Sequence, residues 1–463
     1  MGFPERIQQA VLLFRERVPQ GPLLVVGNLD TDGLTATSLL VRALMREQLT
    51  FSVQIIKQLS DNYLDELKDC PYPTIMFTDL GSGYLTGIEQ KLQGKHIFIL
   101  DHHYPEKRDV ADWIVHVNPH LDGIDGTKDV SAAGVSYFFV RTLDPKNKDL
   151  AHLALVGAVG DIQEYMGFRG LNRDILKDAL DLGLLEVKEG LRMFGAYTRP
   201  LHKVLEYSTH PYLPGVTGNR AGAIRFLEEH GFAKKGMGES LRLSNLHQED
   251  VDRLLHLLHQ KDGDAVGPVY LLRGVHEDYP LRDLKEFSTL LNACGRMGKA
   301  SLGIGVCLQD QLSRKRSFEI LEDYRREIMQ GLEWFYQHRN SEHIIEKKGF
   351  VIINADGNIR DSIIGTLASL VSKSNLYPER TIIMSMARTL DDDIKVSMRL
   401  SGFTSQEDID LRVLLKSILE KTGGYGGGHR LAAGGTVPPD KEKLLIETAL
   451  DVLGRAVVEQ RVV

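Results

Sequence analysis

Three short apolar segments of the sequence each end in aspartate. The motif VVGNLDTDG contains Asp30 and Asp32, IMFTDLG contains Asp79, and IFILDHH contains Asp101. A single aspartate at the end of a strand is commonly a turn residue or a helix cap. Three such ends in one parallel sheet would instead bring four carboxylates to one edge, where bound cations relieve their mutual repulsion. The spacing therefore predicts a site for two divalent metal ions.

Two histidines follow the third segment and extend the predicted site. A lone histidine is usually structural, but in tandem His102 could ligate a metal while His103 contacts a phosphate or acts as a general acid. Asp161 is a further candidate ligand, because Gly157 and Gly160 would let its helix pack close to the sheet; the alternative is a solvent-facing residue at a helix end. Mixed aspartate and histidine ligands favour Mn²⁺, with Mg²⁺, iron or cobalt as competitors.

A glycine cluster near the end of the sequence predicts a second functional element. The stretch GGYGGGHRLAAGG, from Gly423 to Gly435, holds seven glycines around His429 and Arg430. We predict a loop between a helix and a strand whose backbone N–H groups hold a phosphate, with His429 as a side-chain donor. A flexible linker is the alternative. The stretch lacks the Lys-Ser/Thr ending of a P-loop, so it does not indicate ATP hydrolysis.

The order of β-rich segments and helical patterns predicts the fold that positions these residues. Over residues 1–185 short apolar segments alternate with helical patterns, which indicates an α/β domain with a doubly wound, mostly parallel sheet. Residues 186–345 are predicted to be mainly helical and to end in a long charged helix. Over residues 346–463 the alternation returns and predicts a smaller α/β domain. In open parallel sheets ligands bind at the carboxyl ends of the strands.

Length and composition exclude several other classes of protein. With 463 residues, 42% of them hydrophobic and 26% charged, the chain is long enough for two or three globular domains. Its three cysteines form no CxxC pair, which argues against a disulfide framework or a zinc finger. The net charge of −7 argues against a wholly basic nucleic-acid coat but permits a local positive groove. Charged residues interrupt the N-terminal segment and no apolar run reaches ~18 residues, so we expect a cytoplasmic protein without a membrane partner.

Five motifs, taken in order, resemble those of the DHH phosphoesterase superfamily with a DHHA1 domain: NLDTDG, TDLG, LDHH, VGAVGD and GGYGGGHRLAAG. Within that superfamily the chain is most similar to the RecJ-like single-strand exonucleases, especially the archaeal members that include the GINS-associated nucleases. The stretch RPLHKVLEYSTHPYLPG, at 199–215, supports this placement. The resemblance covers both ends of the chain and is weakest between them.

The resemblance implies roles for individual residues. The metal ligands that it implies are Asp30 and Asp79 for the first ion, and Asp32, Asp79, His102 and Asp161 for the second. Asp101 would orient His102, and His103 would contact the scissile phosphate or assist the leaving group. The substrate-binding residues that it implies are Asn118, Arg399, Gly426, Gly427, Gly428 and His429. The family usually has a histidine at the position of Asn28, whose amide oxygen would ligate a metal more weakly, so we expect a looser first site.

The resemblance also implies an activity. We expect hydrolysis, dependent on two divalent ions, that removes nucleotides from an end of single-stranded nucleic acid. Single-stranded DNA and 5′-to-3′ polarity are favoured, RNA remains open, and the expected context is DNA replication or repair with GINS or another replisome protein as partner. One alternative is a phosphodiesterase for short oligonucleotides or nucleotides. Another is a noncatalytic replication scaffold, like the DHH-derived subunit of the eukaryotic replicative helicase; Asn28 favours this alternative and the other ligands oppose it.

Overall fold

Helices and strands alternate through the N-terminal part of the chain. The structure, a computed structural model, describes residues 2–18, 21–208, 213, 215–234, 236–261, 265–276, 279–374, 376–402 and 409–459. The first elements are α1 (Phe3–Arg17), β1 (Leu23–Asn28), α2 (Thr31–Arg46), β2 (Phe51–Ile56), α3 (Asp61–Lys68), β3 (Thr74–Thr78), α4 (Leu85–Lys91), β4 (His96–Leu100), β5 (Ile114–Val117), α5 (Ala132–Leu143) and α6 (Ala151–Gly160). The five strands form one parallel sheet in the order β2-β1-β3-β4-β5, which confirms the predicted sheet.

The central strands of this sheet are apolar because helices cover both of its faces. β3 is buried along its whole length, as expected for a strand of a doubly covered parallel sheet. On one face, Phe77 belongs to a core cluster with Leu64 of α3 and Ile88 of α4. On the other face, Phe98 of β4 packs edge-on against Phe14 of α1, at 5.7 Å between ring centroids. The sheet is therefore a rigid base for the loops that follow its strands.

The middle of the chain is mainly helical, as predicted, but it also contains two strands. Its elements are α7 (Gly170–Asp181), β6 (Leu185–Leu191), α8 (Leu201–Glu206), α9 (Arg220–Glu229), α10 (Gln248–Lys261), β7 (Val266–Leu272), α11 (Leu284–Arg296), α12 (Ala300–Cys307) and α13 (Gln311–His338). β6 and β7 pair antiparallel as a separate two-stranded sheet. The sequence analysis did not predict this sheet, because its two strands lie far apart in the chain.

Much of this helical region packs onto the first sheet and its loops. Residues Met1–Leu205 and Arg220–Leu321 form one compact unit, and Glu206–Asn219 with Glu322–Val463 form a second. This division differs from the predicted boundaries at 185 and 345, because α11 lies directly against the loop between β1 and α2. A Cβ atom on Gly295 would come within 1.7 Å of the Leu29 carbonyl oxygen. In addition, the buried Thr31 hydroxyl donates to the Ser288 carbonyl at 2.7 Å.

The second unit contains a six-stranded sheet covered by helices on both faces. Its elements after α13 are β8 (Ile344–Lys347), β9 (Phe350–Asn354), α14 (Asp361–Lys373), β10 (Ile382–Arg388), β11 (Ile394–Leu400), α15 (Leu411–Thr422), β12 (Tyr425–His429), β13 (Ala432–Val437) and α16 (Glu442–Glu459). The strand order is β12-β13-β11-β10-β9-β8, and only the β9–β10 pair is parallel among these strands. Leu419 of α15 and Leu453 of α16 share a core cluster with Val396 of β11. Among the helices that the structure describes, none has the length and apolar character that a bilayer span requires.

Candidate metal centre

The parallel register of the first sheet brings the predicted ligands to one edge. β1 pairs with β3, and β3 pairs with β4, so the three strands end side by side. Asp32 follows β1, Asp79 follows β3 and His102 follows β4. The backbone N–H of Asp79 also donates to the carbonyl of Leu100, the last residue of β4, at 3.0 Å. The three segments that the sequence singled out therefore converge.

His102 lies at the centre of the resulting cluster. Its Nε2 atom is 3.2 Å from Asp161 Oδ2, 3.4 Å from Asp79 Oδ1 and 3.8 Å from Asp32 Oδ2. Its Nδ1 atom lies 2.7 Å from the Gly126 carbonyl oxygen. A carbonyl only accepts hydrogen bonds, so Nδ1 carries a proton and Nε2 faces the carboxylates as a ligand atom would. The sequence analysis did not identify the Gly126 carbonyl, which no side-chain motif marks.

Asp32 is held in place by the N-terminus of α5. Its Oδ2 and Oδ1 atoms accept hydrogen bonds from the backbone N–H groups of Ala132 and Ala133, at 2.7 and 3.0 Å. The helix dipole favours a negative charge at this position, although burial raises the pKa of Asp32. The sequence analysis missed this contact; the signal was Ser131, which caps α5 with its side chain.

The carboxylate of Asp79 lies in an environment that a bound cation would stabilise. Its side chain is buried, and burial together with the nearby charge of Asp30 raises its pKa well above the usual range. Its Oδ1 atom makes no hydrogen bond of good geometry among the described residues, and its contacts are ion pairs with His102 Nε2 at 3.4 Å and His103 Nδ1 at 3.6 Å. The backbone of Asp79 is left-handed, with φ 59°. Strained backbone of this kind persists where the surrounding structure fixes a functional residue.

Asp161 reaches the cluster from the end of α6. A Cβ atom on Gly157 would lie 2.5 Å from Asp32 Oδ1, and one on Gly160 would lie 2.7 Å from Thr31 Cβ. The glycines therefore permit close packing, but against α2 and not against the sheet as the sequence analysis expected. Burial and then repulsion from Asp32 raise the pKa of Asp161 to about 8. A cation bound beside them would stabilise Asp161 and Asp79 in their ionised forms.

Asp101 and His103 form a separate pair beside the cluster. Asp101 Oδ1 accepts from His103 Nδ1 at 2.8 Å and from the backbone N–H of His102 at 2.8 Å. Asp101 therefore orients the ring of His103, whereas the ring of His102 is held by Gly126. This corrects the expectation that Asp101 orients His102. Burial lowers the pKa of His103, but attraction to Asp101 outweighs burial and raises the pKa to about 9.

Asn118 holds the backbone of His103 in place. It is fully buried, and its Nδ2 atom donates to the His103 carbonyl and to Ser82 Oγ, both at 2.8 Å. Its Oδ1 atom accepts from the His120 backbone N–H at 2.9 Å. A side chain with all of these contacts inside the protein is not free to bind substrate. The structure therefore assigns Asn118 to positioning His103, in place of the predicted substrate contact.

Asn28 and Asp30 lie at the β1 end of the same edge. Asp30 caps α2, with Oδ1 accepting from the Gly33 backbone N–H at 3.0 Å. Its charge nevertheless raises the pKa values of Asp79 and Asp161, which places it near both. Asn28 Oδ1 accepts from the backbone N–H of its neighbour Leu29 at 2.6 Å. The assignment of both residues as metal ligands remains a prediction.

The residues predicted to hold phosphate in the second unit lie on its sheet. Arg399, on β11, donates to Ser369 Oγ at 2.9 Å and to the Met398 carbonyl at 2.8 Å. The glycine cluster is not the predicted loop, because Tyr425–His429 forms an edge strand paired with β13. The strand is possible because its partner contributes small residues; a Cβ atom on Gly426 would come within 2.4 Å of the Gly434 carbonyl oxygen. The side chain of His429 lies outside the described part of the chain, as do residues 209–212 and 214 of the stretch 199–215.

The donor set fits divalent cations. Two overlapping groups each place their ligand atoms within 4.8 Å of one another, and they consist of Asp79, His102 and His103, and of Asp32, His102 and Asp161. Carboxylate oxygens with one or two imidazoles suit Mn²⁺ and Mg²⁺, and the thiolates of a structural zinc site are absent from these two groups. The carboxylates also raise the pKa of His102 well above its usual range in spite of burial. A proton and a metal ion would therefore compete for the same position.

Three family models match successive parts of the chain. The N-terminal domain of the DHH family matches residues 22–158, the DHH-CID domain matches 193–263, and the DHHA1 domain matches 348–455. The first match contains β1 to β5 with Asp32, Asp79 and His102, and the third contains the six-stranded sheet except for β8.

Relatives in sequence and in structure agree with these matches. The chain is 28% identical over 464 residues to an uncharacterized protein of Methanocaldococcus jannaschii, which covers 97% of this chain and 98% of that protein. It is 26% identical over 284 residues to the single-stranded-DNA-specific exonuclease RecJ of Thermus thermophilus, which covers 57% of this chain and 42% of that protein. The match therefore spans less than half of that exonuclease.

Solved structures share the fold at low sequence identity. RecJ of Thermus thermophilus in complex with Mn²⁺ superimposes with a TM-score of 0.59 at 17% identity, over 98% of this chain and 55% of that one. CDC45 of Entamoeba histolytica superimposes with a TM-score of 0.67 at 10% identity, over 97% of this chain and 99% of that one. These structures show that the chain shares their fold. The three family models, together with the curated RecJ relative, show that the chain is a RecJ-like member of the DHH/DHHA1 superfamily.

Proposed function

We propose that this protein is a metal-dependent exonuclease that hydrolyses phosphodiester bonds of single-stranded nucleic acid, with single-stranded DNA degraded from its 5′ end, in DNA replication or repair. One observation carries the proposal. His102 Nε2 lies within 3.8 Å of carboxylates from three different parts of the chain, Asp32, Asp79 and Asp161. Burying these carboxylates together costs free energy, which divalent cations bound among them would offset.

The residues of the candidate metal centre would have different roles in the reaction. Asp32, Asp79, His102 and Asp161 would hold divalent ions, Mn²⁺ or Mg²⁺, with Asp30 and Asn28 completing the first site. When bound, such ions stabilise charge on phosphoryl oxygens and make a water molecule a stronger nucleophile. Attraction to Asp101 outweighs burial and raises the pKa of His103 to about 9, so a protonated His103 would donate through Nε2 to a phosphate oxygen or to the leaving oxygen.

Single-stranded nucleic acid is favoured as substrate by the aromatic residue that follows His103. The side chain of Tyr104 is 55% exposed, and its ring stacks on His120 with centroids 4.2 Å apart and planes 20° apart. A fixed, exposed aromatic face is what a nucleobase stacks on when it is not paired in a duplex. In the second unit, Arg399 and the backbone of β12 are the proposed contacts to phosphate groups of the strand.

Nuclease assays with matched variants test the proposal. We would titrate Mn²⁺ and Mg²⁺ against single-stranded DNA and RNA of matched sequence, labelled at either end. Asp79→Asn keeps the side-chain shape and the left-handed backbone that asparagine tolerates, and should abolish turnover. Asp392→Asn is the control, because Asp392 also has a positive φ, 67°, but is exposed and lies on the second unit. It should retain full activity.

The outcomes separate this function from its rivals. Metal-dependent release of mononucleotides by the native protein, lost in Asp79→Asn, supports the exonuclease, and the label shows polarity. Turnover restricted to di- and trinucleotides would indicate a phosphodiesterase for short oligonucleotides. No release at any metal concentration, together with no metal binding by calorimetry, would indicate a noncatalytic scaffold. Undiminished turnover by Asp79→Asn would refute the assigned ligands.

A further inference from the structure

The segment that follows Asp161 has an unusual helix ending. α6 ends in a Schellman motif, in which Ile162 N donates to the Val159 carbonyl at 3.1 Å and Gln163 N donates to the Ala158 carbonyl at 2.9 Å. The motif requires a left-handed residue, and here Ile162 takes that position with φ 60°. Glycine is the usual residue there. For a β-branched residue this conformation is an outlier.

Other helices of the first unit end in the same way with residues better suited to the position. α7 has Gly183 and α11 has Gly298 at the left-handed position. α12 has Gln309, with φ 65°, whose N–H donates to the Val306 carbonyl at 2.9 Å. Glutamine is less strained than isoleucine because it is unbranched at Cβ. The presence of isoleucine at this strained position therefore requires an explanation that is specific to α6.

A second residue of the same kind lies four positions further on. Gly167 N donates to the Glu164 carbonyl at 2.9 Å and closes a tight turn. Met166 is the third residue of this turn and has φ 61°. A turn with a left-handed third residue normally has glycine or asparagine there. Two positions that favour glycine, within five residues of each other, thus bear large apolar side chains.

Neither side chain is stabilised by burial within this chain. Ile162 is 60% exposed and Met166 is 65% exposed, so little apolar contact offsets the strained backbone. The residues between them anchor the segment instead. Gln163 is buried, and its Nε2 donates to the Gly126 carbonyl at 2.9 Å. The same carbonyl holds the ring of His102 at 2.7 Å, so the segment is fixed to the metal centre.

We infer that Ile162 and Met166 form an apolar rim that contacts a nucleobase of the strand bound at the metal centre. The inference rests on the proposed function and adds a binding site to it. The rim follows directly after Asp161, where a scissile phosphate would be held, and the part of a nucleotide that offers an apolar face to such a rim is the base. The strained backbone is retained because it holds both side chains outward at that position.

Glycine substitutions separate strain from binding. Ile162→Gly should raise the Tm by about 1–3 °C, because glycine adopts the left-handed conformation without strain. It should also raise KM about tenfold on an oligodeoxythymidylate, because the apolar contact is lost. On the same oligonucleotide with abasic residues at its end, KM should not change. Gln309→Gly is the control: it should also raise the Tm, with no effect on KM for either substrate.

Each other outcome would overturn the inference. An unchanged KM on the base-bearing strand would show that the rim binds no base. An equal loss on base-bearing and abasic strands would show that Ile162 acts through Asp161, and manganese calorimetry on Ile162→Gly would confirm it. If the native protein cleaves neither strand, the proposed function fails by itself. Fluorescence anisotropy of the labelled strands then tests whether the rim binds a base, because Ile162→Gly must still lose the preference for base-bearing over abasic DNA.

Discussion

Replacing Gly295 by alanine should displace the loop that carries Asp30 and Asp32. The added methyl carbon would lie 1.7 Å from the Leu29 carbonyl oxygen, roughly half of an ordinary contact distance of ~3.5 Å. Both atoms belong to backbone or to a Cβ position, so no side-chain rotation relieves the clash. Either α11 or the loop after β1 must move by more than about 1 Å. The required shift is the difference between an ordinary contact distance of ~3.5 Å and the 1.7 Å that the structure provides.

The size of the effect follows from this displacement. Overpacking of this kind destabilises by about 1–3 kcal/mol, which for a unit of this size corresponds to a fall in Tm of roughly 2–5 °C. A shift of about 1 Å in groups that position a reaction lowers the rate about 100-fold. Because Asp32 loses its alignment with Ala132 and Ala133, manganese binding should weaken as well.

Calorimetric unfolding, manganese titration and turnover on single-stranded DNA measure these three effects. Gly454→Ala is the matched control, because Gly454 is also a helical glycine but its added carbon meets no atom of the described residues within 4 Å. It should raise stability by about 0.5–1 kcal/mol and leave metal binding unchanged. If Gly295→Ala does not fold, Thr31→Val removes the hydrogen bond to Ser288 without added volume. A folded Gly295→Ala protein with normal manganese affinity and turnover would refute the argument that α11 positions this loop.

Three further predictions concern single residues. Tyr104→Ala should raise KM on base-bearing single strands about tenfold while Tyr104→Phe retains it, since stacking needs the ring and not the hydroxyl; equal effects of the two would exclude stacking. Asn28→His should tighten manganese binding in calorimetry, and an unchanged isotherm would mean that Asn28 is not a ligand. Burial raises the pKa of Asp283 to about 6, above the value of about 3.9 in the unfolded chain. Its contribution to stability is therefore complete below pH 4 and falls by roughly 3 kcal/mol as pH rises to 6; Asp283→Asn should remove that decline from pH-dependent unfolding curves, and an identical decline in both proteins would contradict the shift.

The sheet and the convergence of the candidate site residues were predictable because both depend on local patterns. Each strand of the first sheet is a short apolar segment bounded by turn residues, as in Thr74–Thr78. The candidate ligands follow these strands directly, so a correct prediction of the parallel sheet also placed Asp79 beside His102. Asp161 was placed correctly for a similar reason, since Gly157 and Gly160 mark a helix that packs closely on a neighbour.

The features that the sequence did not predict depend on distant partners. β6 has the sequence LEVKEGL and gains strand structure only by pairing with β7, whose residues lie 75 to 87 positions further along the chain, from Leu191↔Val266 to Leu185↔Leu272. The strand Tyr425–His429 contains three consecutive glycines, which disfavour strands in isolation. It forms because glycines and alanines on β13 allow close approach beneath α15. The β-propensity of a residue is a local property, whereas these two strands form because of the partner strands with which they pair.

The tandem histidines show the same limit within the site. Their spacing indicates that one ligates metal and the other contacts substrate, but the division of roles depends on the partner of each Nδ1 atom. A backbone carbonyl, that of Gly126, holds His102 and adds no charge, and Nε2 faces three carboxylates as a metal ligand would. A carboxylate, that of Asp101, holds His103 and keeps it protonated as a donor. The sequence Asp-His-His does not show which partner each Nδ1 atom has, so it does not distinguish the two roles.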